Sequence, residues 1–169
     1  QVKKLCEAIQ EYARANNQPP LIIAIDQEGG QVARLKEPFS EFPGNPAMKD
    51  VRDAIFFAET TASELTLAGI NMNLAPVMDV APRDMTSIMS ERAFGHDPEW
   101  VSKLGLTVIS HLQQHQIMAV AKHFPGIGRT VADSHIELPS CEYSLTDLKS
   151  YDLIPFADSI AQDVAGIML

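Results

Sequence analysis

Ionisable side chains gather at a few points of this 169-residue sequence. Asp26-Gln27-Glu28-Gly29-Gly30 places two carboxylates beside a glycine pair. Asp79 stands alone after an apolar run, and Lys122-His123 follows another. Arg92 and His96 lie between them, and Asp133-Ser134-His135 lies beyond. The acidic first cluster has no lysine and does not match Gly-x-Gly-x-x-Gly, so it would repel a phosphate rather than cradle one. A polyhydroxylated ligand suits it better, because a carboxylate accepts hydrogen bonds from hydroxyls. In an extended loop, residues i and i+2 face the same way, so Asp133 can orient the ring of His135 as it would a general acid/base. A surface turn is the plain alternative for such an Asp-x-His. Likewise, Lys122 and His123 can simply be solvated at a rim. No Gly-x-Ser-x-Gly elbow supports a serine triad around Ser134. His111 and His115 have helical i, i+4 spacing but lack the zincin glutamate between them, so no metal site is assigned.

The elements that must position these groups follow from periodicity. Val2, Leu5, Cys6, Ile9, Tyr12 and Ala13 mark a first helix, broken over Asn16 to Pro20. Leu21 to Ile25 form a continuous apolar run, expected as a strand buried on both faces and ended by a polar turn at Asp26 to Gly30. Val51, Ala54, Ile55, Ala58, Ala62 and Leu65 write a second helix, with Gly69 placed to cap it. Ile70 to Leu74 read as the next strand. Pro98 suits the first turn of a helix whose apolar face is Val101, Leu104, Val108 and Leu112. Ile117 to Ala121 give a third strand, Pro155 to Gln162 a last helix, and Gly166 to Leu169 a fourth strand.

This alternation predicts an α/β fold with a parallel sheet, either doubly wound or a (β/α)₈ barrel. In both architectures, sites form past the C-terminal ends of strands, where Asp26, Asp79 and Lys122-His123 all fall. The connections Val80 to Asp97 and Lys122 to Leu145 are long for βα loops, which favours a functional role for Arg92, His96, Asp133 and His135.

Composition narrows the ligand class. The chain is 46% hydrophobic and 21% charged, enough apolar material for a core. A net charge of −9 argues against nucleic acid and against anionic membranes. No apolar run approaches the roughly 20 residues of a membrane helix. Cys6 and Cys141 sit in no Cys-x-x-Cys pattern and are expected as reduced thiols, in keeping with a cytoplasmic setting.

Five segments in order resemble glycoside hydrolase family 3, in particular its β-N-acetylhexosaminidase branch. They are residues 25–34 (Ile-Asp-Gln-Glu-Gly-Gly-Gln-Val-Ala-Arg), 73–80 (Asn-Leu-Ala-Pro-Val-Met-Asp-Val) and 90–95 (Ser-Glu-Arg-Ala-Phe-Gly). The remaining two are Lys122-His123-Phe124-Pro125-Gly126, and Asp133-Ser134-His135 with Pro139. The resemblance implies a (β/α)₈ TIM-barrel domain and retaining hydrolysis of terminal β-linked N-acetylglucosamine. It further implies His135 as acid/base with Asp133 as its partner. Asp26, Arg92, Lys122 and His123 are implied as sugar ligands, the last three donating to hydroxyls or to the acetamido oxygen. No metal or organic cofactor is implied. The substrate class is a small carbohydrate or muropeptide from peptidoglycan, in cell-wall recycling.

Two departures stand out. Pro125-Gly126-Ile127-Gly128 replaces the family's Pro-Gly-His-Gly. A full barrel needs eight strands and roughly 250 residues. Residues 1–169 supply about four βα units and are expected as a barrel domain truncated at both ends, with the nucleophilic Asp downstream. An incomplete barrel would expose strand edges, open to pairing with a second copy or with the missing chain segments. Two other functions stay open: a family 3 β-glucosidase or xylosidase, and a carbohydrate-binding fragment without catalysis. The Asp-x-His loop argues against the first.

Overall fold

The computed structural model describes residues 1–130 and 143–169. Asp133, Ser134, His135, Pro139 and Cys141 therefore lie outside the described residues. Its core is a parallel sheet of four strands in the order β1-β4-β5-β6. These are β1 (Ala24–Ile25), β4 (Met72–Asn73), β5 (Met118–Lys122) and β6 (Gly166–Met168). Register runs Ala24 to Met72, Met72 to Met118, and Lys122 to Met168. A separate antiparallel pair, β2 (Gln27–Gly29) with β3 (Val32–Ala33), follows directly on β1.

The helices are α1 (Val2–Ala15), α2 (Val51–Ala68), α3 (Pro98–Gln114), α4 (Leu145–Ser150) and α5 (Ile154–Ala161). Asp50 caps α2 by accepting from the N–H groups of Arg52 and Asp53, satisfying donors that the first turn leaves unpaired. Gly69 ends α2 with φ 79°, a left-handed conformation that an L side chain resists. An added Cβ there would also stand 2.9 Å from the Cβ of Cys6. Pro98 occupies the first turn of α3 behind the Asp97 cap, as its spacing predicts. None of the described helices is long and apolar enough to cross a membrane.

Helix α3 packs against both α2 and α5. Phe57 and Leu65 of α2, Val101, Leu104, Val108 and Leu112 of α3, and Phe156 of α5 are all buried against Ala119 and Ala121 of β5. The alanines let the helices approach the sheet closely. Gly105 serves the same end, since any Cβ there would collide with the sulfur of Met78.

Two local expectations change, and one short helix is added. The apolar run at Leu21 is not a strand buried on both faces: β1 spans only Ala24–Ile25, and Leu21 and Ile22 are 39% and 61% exposed. Among the described residues β1 has β4 as its one neighbour, and its pairing begins at Ala24, past Leu21 and Ile22. The expected polar turn at Asp26 to Gly30 is instead the start of the β2–β3 hairpin, which turns through Gly29 and Gly30, both at positive φ. Helix α4, within the stretch adjoining the long third loop, has its own capping box between Ser144 and Asp147.

Candidate active site

Lys122 ends β5 and its side chain is only 2% exposed. A buried ammonium requires anions, and two arrive from the chain that leaves β1. Nζ donates to Oδ1 of Asp26 at 2.7 Å and ion-pairs with Oε1 of Glu28 at 2.6 Å. Glu28 is equally buried, and it accepts a fork from Arg92: Nη2 to Oε1 at 2.8 Å and Nε to Oε2 at 3.0 Å. Asp26 is more open, with its side chain 32% exposed and Arg34 4.0 Å from its Oδ2.

Arg92 sits in the connection between β4 and α3. Its N–H donates to the carbonyl of Met89 at 2.9 Å, and its own carbonyl accepts from the buried Asn45 side chain at 2.8 Å. Burial works against the charged guanidinium, but the hydrogen bonds it donates to Glu28 and the fields of Glu28, Asp79 and Asp26 more than offset it. The Arg92 pKa is thereby raised above its ordinary value.

Asp79 completes the cluster from the chain beyond β4, two residues past Val77, which bridges to Lys122. It is fully buried. Its Oδ2 takes Nδ1 of His123 at 2.7 Å and the His123 N–H at 3.2 Å, and its Oδ1 takes the Ile127 N–H at 2.7 Å. Nε2 of His123 thus points away from Asp79 and lies 3.4 Å from Nη2 of Arg92. A neutral ring in that tautomer offers an acceptor at Nε2, and a protonated ring a donor. The Lys122–His123 peptide is cis.

Two amides brace the frame. Asn73 of β4 clasps the backbone of Gln27, accepting its N–H at 3.1 Å and donating to its carbonyl at 3.0 Å. The Gln27 side chain accepts from Arg34 and Leu35 and donates to the Leu35 carbonyl, locking the hairpin that carries Glu28. Asn73 thereby ties β4 to the chain that leaves β1.

The four sugar ligands expected from the sequence, Asp26, Arg92, Lys122 and His123, meet in this one cluster. His135 and Asp133 fall outside the described residues. His96 does not join the cluster; its Nδ1 takes Nε of Arg83 at 3.1 Å on the exposed side. His111 pairs with Glu59 and His115 with its own helix, and no grouping of metal-ligand residues exists among the described residues. Sequence reasoning left Glu28 and Asp79 without roles. For Glu28 the signal was present: Asp26 and Glu28 are i, i+2 and share one face of an extended chain, so a cation reached by one is reached by both. Ile127, the departure from the family pattern, holds Asp79 through its backbone. Its side chain packs on an apolar group of Val77, Ala81, Met89 and Ala93.

The family model described as glycosyl hydrolase family 3 N terminal domain matches residues 1–169. The chain is 36% identical over 178 residues to beta-hexosaminidase A of Pseudoalteromonas piscicida, covering 100% of this chain and 30% of that protein. It is 36% identical over 174 residues to the beta-hexosaminidase of Idiomarina loihiensis, covering 99% and 52%. Among solved structures, the family 3 beta-N-acetylglucosaminidase from Paenibacillus sp. str. FPU-7 superposes with a TM-score of 0.93 at 37% identity, over 98% of this chain and 32% of that one. NagZ from Neisseria gonorrhoeae in complex with N-trifluoroacetyl-D-glucosamine superposes at 0.88 and 31% identity, over 99% and 51%. The chain thus spans between about a third and a half of the length of these four relatives. The four-stranded parallel sheet with its outer helices is part of a TIM-barrel-like fold, and the chain belongs to glycosyl hydrolase family 3, in the family's N-terminal domain.

Proposed function

We propose that the protein hydrolyses terminal β-linked N-acetylglucosamine residues with retention of configuration. The observation that carries this reading is the single cluster of Asp26, Arg92, Lys122 and His123 past the strand ends. It supports a neutral polar ligand, because its charges are already paired among themselves. Asp26 keeps a partly exposed carboxylate oxygen to accept from a ring hydroxyl. Arg92 and His123 offer polar atoms to hydroxyls or to the acetamido group. The names of the relatives, beta-hexosaminidases and beta-N-acetylglucosaminidases, point to the same sugar.

Retention requires a nucleophile and an acid/base acting in two steps. In this proposal His135, oriented by Asp133, protonates the leaving oxygen in the first step. It then takes a proton from water in the second. An imidazole suits both roles near neutral pH. The nucleophile is a carboxylate from outside residues 1–169. The substrates are peptidoglycan fragments such as muropeptides, recycled in the cytoplasm.

His135→Ala in the full-length protein tests the acid/base role. The expected result is a fall of about 10²- to 10⁴-fold in kcat/KM on a chromogenic β-N-acetylglucosaminide, with loss of one limb of the pH profile. An unchanged rate overturns the assignment.

A further inference from the structure

Glu28 has no part in the sugar contacts proposed above, yet it is the anion on which both cations of the site converge. Its side chain is 2% exposed, so a ligand in the cleft gains little contact with it. Its two oxygens are occupied by Lys122 Nζ at 2.6 Å and by Arg92 Nη2 and Nε at 2.8 and 3.0 Å. We propose that Glu28 is a positioning residue that sets how Arg92 and Lys122 are presented to the sugar; this rests on the glycosidase reading.

The donor inventory shows how. Arg92 carries five N–H groups in a fixed planar fork. The Nε–Nη2 edge is spent on Glu28, and Nη1 has no hydrogen-bond partner among the described residues. Because the guanidinium is planar, gripping one edge fixes where the Nη1 donors point. Lys122 has no such plane; its ammonium is a point charge on a flexible stem, placed only by the anions around it. Those anions are Glu28 and Asp26, and Asp26 is the one the sugar competes for. Glu28 is therefore the contact that keeps Lys122 in place while Asp26 is shared with a ligand. The hairpin lock of Gln27 and the Asn73 clasp hold the backbone beside Glu28 rigid, so its carboxylate is a fixed reference. Glutamine at this position would turn an N–H₂ donor toward the Arg92 fork and remove the charge that the two buried cations share.

A double-mutant cycle separates positioning from a general structural role. Wild type, Glu28→Gln, Arg92→Lys and the double variant of the full-length protein are compared on a chromogenic β-N-acetylglucosaminide. Glu28→Gln is expected to raise KM about 10-fold or more while kcat changes less, as for lost binding common to ground and transition states. The double variant is expected to lose far less than the product of the single losses, because lysine has no fork for Glu28 to hold. Losses that multiply, or a fall in kcat at unchanged KM, overturn the proposal. Should Glu28→Gln fail to fold, the same cycle with Glu28→Asp, which keeps the buried charge on a shorter stem, carries the same criterion. A wild type that neither hydrolyses the substrate nor binds N-acetylglucosamine overturns the glycosidase reading and this proposal together. An active wild type with multiplicative losses overturns this proposal alone.

Discussion

Asp79 grips His123 twice, through Nδ1 at 2.7 Å and through the backbone N–H at 3.2 Å. A buried carboxylate in that position keeps the proton on Nδ1 and turns Nε2 toward Arg92. Asp79→Asn is isosteric but brings an amide N–H₂ against donors. The expected result is a loss of about 10- to 100-fold in kcat/KM on the β-N-acetylglucosaminide, the size of a lost hydrogen bond to a charged partner, about 1.5–3 kcal/mol. Activity within twofold of wild type would show that the orientation of His123 is set elsewhere.

The departure at Ile127 should be harmless to that grip. Its N–H reaches Asp79 at 2.7 Å whatever the side chain is. The side chain packs on Val77, Ala81, Met89 and Ala93. Ile127→Ala should therefore lower stability by about 2 kcal/mol, at the mild end for a partly buried site. KM should stay within about twofold, since the uniform sugar contacts are untouched. Urea unfolding and steady-state kinetics on the same preparation check both halves.

Gly128 admits no side chain. A Cβ there would fall inside contact distance of the Val80 carbonyl. That carbonyl belongs to backbone directly after Asp79, which cannot yield without moving the grip on His123. Gly128→Ala should cost at least about 1–3 kcal/mol, the range for overpacking, and reduce activity with it. Normal stability and rate would contradict the packing described.

Arg129 meets the buried carboxylate of Asp152 through Nε at 3.1 Å and through Nη2. Its guanidinium also lies over Tyr143, 3.5 Å from the ring centre. Arg129→Ala would strand a carboxylate that is 2% exposed. The expected cost is about 3–5 kcal/mol, as for breaking a buried pair from one side. A thermal midpoint equal to wild type would contradict it.

Much of the frame was legible because its signals are local. Gly69 and Pro98 mark helix ends through conformations that their own backbones prefer. The gathering of Asp26, Lys122 and His123 follows from their place after apolar runs, whereas Arg92 was marked only by motif type within a long connection. Asp79 was visible at a strand end, but its role depends on His123 and Ile127, which lie 44 and 48 residues away. Glu28 is similar, since its partner Arg92 is 64 residues on. Leu21 and Ile22 misled because a continuous apolar run does not fix where strand pairing starts, which is at Ala24.

The proposed activity requires that this domain build a site for a β-linked N-acetylglucosamine. The most direct measurement is kcat/KM of the full-length protein on matched chromogenic β-N-acetylglucosaminide and β-glucoside. Efficient release from the acetylated sugar and a far slower rate on the glucoside are expected. Equal or greater activity on the glucoside, or no hydrolysis of either, would contradict it.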